Sequence, residues 1–295
     1  MSAKEGSDQV DFRFSRVKLK PEEFALSEGR EVGPTDLISK KCWSGLTSLP
    51  DDVSLRTSDH YGSQLQLLYD LWGEWICVAY ALQQTSNDSA IAYTAGDAVD
   101  YFQGAIHNAL MGYYRLGFTS LRAVVENMTI GMLFHMETAQ SQFNDWLKGE
   151  EFGFGRAADR LLQQPRVHDL EQKLRAAIAD DLYRQRTPND AGGFARRLFR
   201  EASKYAHGTP AYNDADMWKS NGPVFAHKAF EKWAESFFAV YCLALLESRL
   251  ADQKLLKLGF DSQFTPRTLF HRVVDQLSPA SNAHHVFNAV PNDIW

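Results

Sequence analysis

Residues 224–256 constrain the fold more than any other stretch of this chain. Phe225, Phe230, Trp233, Phe237, Phe238, Tyr241, Leu245 and Leu246 recur there at the three- and four-residue spacing of a helix. From Ser236 to Leu246 there is no charge, and apolar residues fall on most sides of that helix. A helix that is apolar all round must be covered all round, by protein or by lipid. Those eleven residues fall short of the roughly 20 that a bilayer requires. The stretch therefore predicts the central helix of a bundle.

The rest of the chain supplies partners for it. Leu65, Leu68, Leu71, Trp72, Trp75, Ile76 and Ala79 trace a helix from Asp59 to about Gln84, closed by the polar run 86–89. Phe102, Ile106, Ala109, Leu110 and Tyr113 predict a second helix over 98–116, interrupted by Gly117. Leu121, Val125, Met128, Met132 and Met136 predict a third over 119–137. Shorter segments follow at 141–148, 155–164 and 167–184, and Thr187-Pro188-Asn189-Asp190 breaks the chain. A helix over 191–207 begins at Asp190 as N-cap and stops at Gly208, with Pro210 beyond. The fold class is all-α: a bundle of five or more helices over 59–258. Residues 1–58 read as an irregular N-terminal arm able to hold a short β-hairpin, because Val10, Phe12 and Phe14 alternate with Asp11 and Arg13. Residues 259–295 read as a C-terminal extension whose end, from Ser278, is loop or tail.

Composition narrows the function. A net charge of −6 over 295 residues leaves no broad footprint for extended duplex DNA. One local exception is Arg184, Arg186, Arg196, Arg197, Arg200 and Lys204, diluted by Asp180, Asp181, Asp190 and Glu201. Cys42, Cys77 and Cys242 are far apart and odd in number, which suits a reduced, cytoplasmic compartment and small core residues. The first residues lack the apolar core of a secretory signal. No metal-ligand cluster is spaced along the chain, so neither a metal nor a cofactor is expected, and no membrane.

The stretch nearest to chemistry is 199–208, Phe-Arg-Glu-Ala-Ser-Lys-Tyr-Ala-His-Gly. Phe194, Leu198, Ala202 and Tyr205 form the apolar stripe of its helix, while Arg196, Arg200, Ser203 and His207 form a polar stripe nearly opposite. A solvated helix shows such a face, and so does a site. Histidine can take and return a proton near neutral pH, and arginine forks onto phosphate oxygens. Ser203 and Tyr205 are candidates to orient an attacking or leaving group.

The Arg200…His207 pair on a late helix resembles the R-x(4–6)-H motif of the HEPN superfamily, helical bundles of prokaryotic toxin–antitoxin and antiviral defence systems. The resemblance implies a metal-independent ribonuclease acting on RNA, a homodimer, and Arg200 and His207 as the catalytic pair meeting across the dimer interface. Six residues separate the pair, the long limit of the motif, and Glu201 stands where the family has Asn, Asp or His. Arg122 and Glu126, at i,i+4 on an earlier helix, add a second polar candidate. With the Ser-x-Tyr-x-His-Gly run at 203–208 they look like bacterial helical families that pair such helices. The alternative is a non-catalytic helical interaction or sensor protein that binds a partner protein or a small ligand.

Overall fold

The computed structural model describes residues 40–86, 88–207, 222–252, 282–291 and 294. Among these residues the protein is helical and has no strand. The helices are α1 (Lys40–Thr85), α2 (Ala90–Leu110), α3 (Tyr114–Met136), α4 (Gln140–Leu147), α5 (Phe154–Leu161), α6 (Pro165–Ile178), α7 (Phe194–Ala206), α8 (His227–Ala251) and α9 (Asn282–Ala289). α3 packs on α2, α5, α7 and α8, while α1 closes the far side against α2 and α8.

The expected central helix is α8. Every residue of it from Ser236 to Ala251 is buried. An aromatic spine follows its flank. Tyr61 stacks on Phe230 at 4.2 Å, Phe230 meets Trp233 at 5.8 Å, and Trp233 meets Phe237 at 5.6 Å. Phe237 then meets Phe102 at 5.1 Å, and Phe102 meets Trp75 at 5.3 Å. The offset and edge-on rings are the arrangements that aromatic quadrupoles favour. α2 and α3 approach closely at Gly131, where a Cβ would lie 2.0 Å from Thr94 Oγ1, so only glycine fits.

Several expected boundaries move. Residue 58 lies inside α1, and Val53 and Thr57 are buried before it. The bundle therefore starts earlier than residue 59. Pro50 sits within α1 and denies the Leu46 carbonyl a donor, but Leu46 is 64% exposed, so water can take that place. The only non-helical backbone in α1 is the kink at Tyr61. The arm before Lys40, with its expected hairpin, lies outside the described residues. α2 starts at Ala90 because Ser89 caps it, its side chain accepting from Ala92 N at 3.3 Å. The break between α2 and α3 falls at Met111–Tyr113, with Gly117 inside α3. α6 ends at Ile178, where Ala179 turns to φ 56°. The expected tail contains a helix, α9, in which Val286 and Phe287 are buried, as is Val290 just after it; Phe287 meets Phe194 edge-on at 5.3 Å. Cys242 is buried as expected, whereas Cys77 is exposed.

The spine sets the first expected outcome. Phe102→Ala removes contacts with Trp75, Phe237 and Tyr241 at once and should cost about 3–5 kcal/mol. Leu116→Ala, at a position 52% exposed, should change stability by less than about 0.5 kcal/mol. Urea titration of the two variants checks the contrast.

Candidate functional site

The site begins where α6 stops. After Ala179 the chain doubles back through 180–193 and lays its backbone against the start of α7. Gly193 N–H donates to Arg184 O at 2.9 Å, Phe194 N–H to Asp181 O at 2.7 Å, and Ala195 N–H to Leu182 O at 2.9 Å. These carbonyls cap α7 in place of Asp190, the expected N-cap. Asp190 instead closes the turn: its Oδ1 accepts from Gly192 N at 2.9 Å, and its carboxylate pairs with Arg184. A Cβ on Gly193 would lie 2.4 Å from Leu182 C and O, so glycine alone permits this approach.

Side chains hold the same segment from both ends. Arg197 forks onto Asp180 at 2.6 and 3.0 Å and reaches Gly192 O at 2.6 Å. Burial works to raise the Asp180 carboxyl, but the Arg197 fork and the Asp181 N–H outweigh it and hold the carboxyl below its ordinary range. Arg196 donates to Tyr183 O at 2.6 Å and pairs with Asp159.

α7 turns Phe194, Leu198, Ala202 and Tyr205 into the core and its opposite side outward. Along one flank of α7 lies an open cleft of about 900 Å³, lined by Phe194 and Leu198 at one margin of the helix and by its polar residues beyond. The turn 186–191 forms one lip; Lys232, Glu235 and Ser236 of α8 form the other. Arg200, Ser203, Lys204 and His207 line it between them. Arg200 is exposed and donates to Ala191 O at 3.2 Å. His207 ends α7, exposed, with its N–H on Ser203 O at 3.0 Å. Ser203 Oγ donates to Phe199 O at 2.8 Å and accepts from Arg122 Nε at 3.0 Å.

The structure thus brings Arg200, Ser203 and His207 to one cleft and adds Arg122 behind them. Arg122 pairs with Glu126 at 3.3 Å and lies 5.0 Å over the Phe199 ring. Glu126 in turn accepts from Phe154 N at 3.4 Å. Two expected site residues stand elsewhere. Tyr205 is buried 4.5 Å from the Phe118 ring, because its position falls on the apolar stripe. Arg196 is engaged with Tyr183 and Asp159 and does not line the cleft. The α8 lip has no signal in the local sequence of α7. Lys232 Nζ lies 2.5 Å from Glu201, so the carboxylate beside Arg200 carries its own counter-ion. Burial raises the Glu235 carboxyl above its ordinary range, Lys232 opposing and Glu201 adding to the shift.

Among the described residues no group of three or more His, Cys, Asp or Glu is placed to hold a metal ion. No described helix is long and apolar enough to cross a membrane. Compared with protein-family models, with curated proteins and with solved structures, the chain matches none.

The backbone approach at Gly193 is directly testable. Gly193→Ala should destabilise the protein by about 1–3 kcal/mol through overpacking. Gly155→Ala, inside α5 with nothing within 4 Å of the added carbon, should stabilise by about 0.5–1 kcal/mol. Thermal unfolding of both variants decides it.

Proposed function

We propose that the cleft beside α7 is a phosphodiester site and that the protein is a HEPN-like, metal-independent ribonuclease of a prokaryotic stress or defence system. The observation that carries this reading is that Arg200, Ser203 and His207 open onto one cleft together with Lys204. In the proposed reaction a base takes the proton of an RNA 2′-hydroxyl, and the 2′-oxygen attacks phosphorus. The P–O5′ bond breaks, and the 5′-oxygen takes a proton. His207 transfers protons at this centre. Arg200 holds the charge that grows on the non-bridging oxygens, using donors beyond the one given to Ala191 O. Ser203 already donates to Phe199 O and accepts from Arg122, so it acts by orienting α7 rather than as a nucleophile. The Lys232–Glu201 pair lessens repulsion between Glu201 and a phosphate.

A second reading, a non-catalytic interaction protein, is supported by a separate observation. Leu46 and Leu49, three residues apart on one face of α1, are 64% and 53% exposed, an apolar pair suited to a partner protein or a second copy.

Purified protein incubated with mixed RNA in EDTA should generate 2′,3′-cyclic phosphate and 5′-hydroxyl ends. His207→Ala should lower kcat by about 10²–10⁴-fold, and Arg200→Ala by about 10²–10³-fold, each with an unchanged unfolding midpoint. Intact RNA after wild-type incubation would favour the interaction reading, with partner capture before and after Leu46→Asp and Leu49→Asp as its test.

A further inference from the structure

Three buried carboxyl groups converge on the segment behind the cleft. Glu171 is 1% exposed, and Asp181 and Glu247 are fully buried. The two cations placed against them, Arg175 and Arg184, both bind Asp181 Oδ2, at 2.9 and 2.7 Å. Glu171 is met by the backbone N–H groups of Leu182 and Tyr183, at 3.0 and 2.8 Å. Glu247 Oε1 accepts from Thr129 of α3 at 2.7 Å and from the Tyr183 phenol at 2.6 Å. Its Oε2 has no partner among the described residues. Three acids facing two cations leave a surplus, and an unpaired buried carboxylate is costly enough to favour its protonated form.

Tyr183 joins these groups. Its phenol holds Glu247 on α8, its N–H holds Glu171 on α6, and its carbonyl accepts from Arg196 on α7. The same segment continues into the turn 186–191 that forms the lip of the cleft and whose Ala191 carbonyl receives Arg200.

We propose that Tyr183 and the two glutamates it joins form a proton-held latch: the 180–193 segment stays seated while Glu171 and Glu247 carry protons, and lifts more readily once they lose them. The latch does not depend on what the cleft binds. Burial pushes both carboxyls up to about 7; for Glu171, Asp181 adds to the rise, while Arg175 and the two N–H groups oppose it. Among the described residues, Arg249 of α8 is set by burial and by Tyr241 and Glu74, and His135 of α3 by burial and by Asp252 and Arg166. Glu74 of α1 acts on Tyr241 and Cys242, and His285 of α9 is exposed. Burial and both glutamates raise the Tyr183 phenol, which stays protonated throughout.

The sign follows from linkage. In the lifted state both carboxyls meet water and return toward the ordinary glutamate value of 4.5. Lifting therefore releases protons and becomes more frequent as pH rises from about 4.5 to about 7, by up to about tenfold per pH unit for each group freed. Above that window the dependence levels off.

Amide hydrogen exchange on the intact free protein from pH 5 to 8, with rates corrected for intrinsic exchange, tests this. Protection at Leu182, Tyr183, Phe194 and Ala195 should fall with rising pH up to about 7, while α2 and α3 amides keep theirs. Glu247→Gln, nearly isosteric and unable to ionise, should remove its share of the slope, and Glu171→Gln the other. Protection in the segment that is independent of pH would overturn the latch, as would a parallel fall in α2 and α3. An unchanged slope in both variants would do the same. Should a variant fail to fold, the wild-type series alone decides. RNA cleavage enters none of these readouts, so the latch and the ribonuclease reading stand or fall separately.

Discussion

The burial of α8 on every side from Ser236 to Ala251 is the constraint from which the rest follows. A helix with no solvent face must satisfy its polar side chains inside the protein. Ser248 does so within its own helix, donating to Ala244 O at 2.8 Å. Glu247 cannot, and draws Thr129 from α3 and Tyr183 from the segment before α7. One buried acid on the central helix thereby ties to α8 a connection that α6 and α7 also hold. Because that connection caps α7, the placement of α7 descends from α8 twice, through direct packing and through Tyr183.

The cationic side chains of this region divide by use. Arg175, Arg184, Arg196 and Arg197 are joined to Asp181, Asp190, Asp159 and Asp180. They stitch α5, α6 and α7 to the returning segment. Arg200 and Arg186 are exposed on the cleft. Of the six basic residues that read as one patch in sequence, Arg184, Arg196 and Arg197 are therefore framework, and Arg186, Arg200 and Lys204 line the cleft. On the proposed reading, this balance suits a small number of phosphate contacts.

Strong periodicity made the bundle legible, and α8 and α3 most of all. The start of α2 is hard to read from sequence because Ala90, Ala92, Ala95 and Ala98 are small residues that give a period too little contrast. α9 was missed because eight residues offer only two turns of pattern, and its meaning lies in Phe194, far away in sequence. Within the site, the polar stripe of α7 could be read from its spacing. The α8 lip and the Arg122–Ser203 bond could not, since both depend on how helices meet. Asp190 looked like a cap because its residue type suits one; backbone carbonyls from 181 and 182 took that place, and no propensity encodes such a contact.

The rotation of α7 about its own axis decides which of its residues can act together. Tyr205 and His207 are two residues apart, about 200° around a helix, and Tyr205 and Arg200 are separated by about 140°. Phe118 receives Tyr205 on the inner side, and Arg122 holds Ser203 and covers Phe199 on the flank. Those two contacts leave α7 one orientation. In it Tyr205 faces the core, and Arg200 and His207 necessarily face the cleft. In this orientation the tyrosine packs on Phe118 and does not line the cleft, whereas Arg200 and His207 do. The burial of Tyr205 against Phe118 thus helps to fix the rotation of α7 that leaves Arg200 and His207 on the cleft.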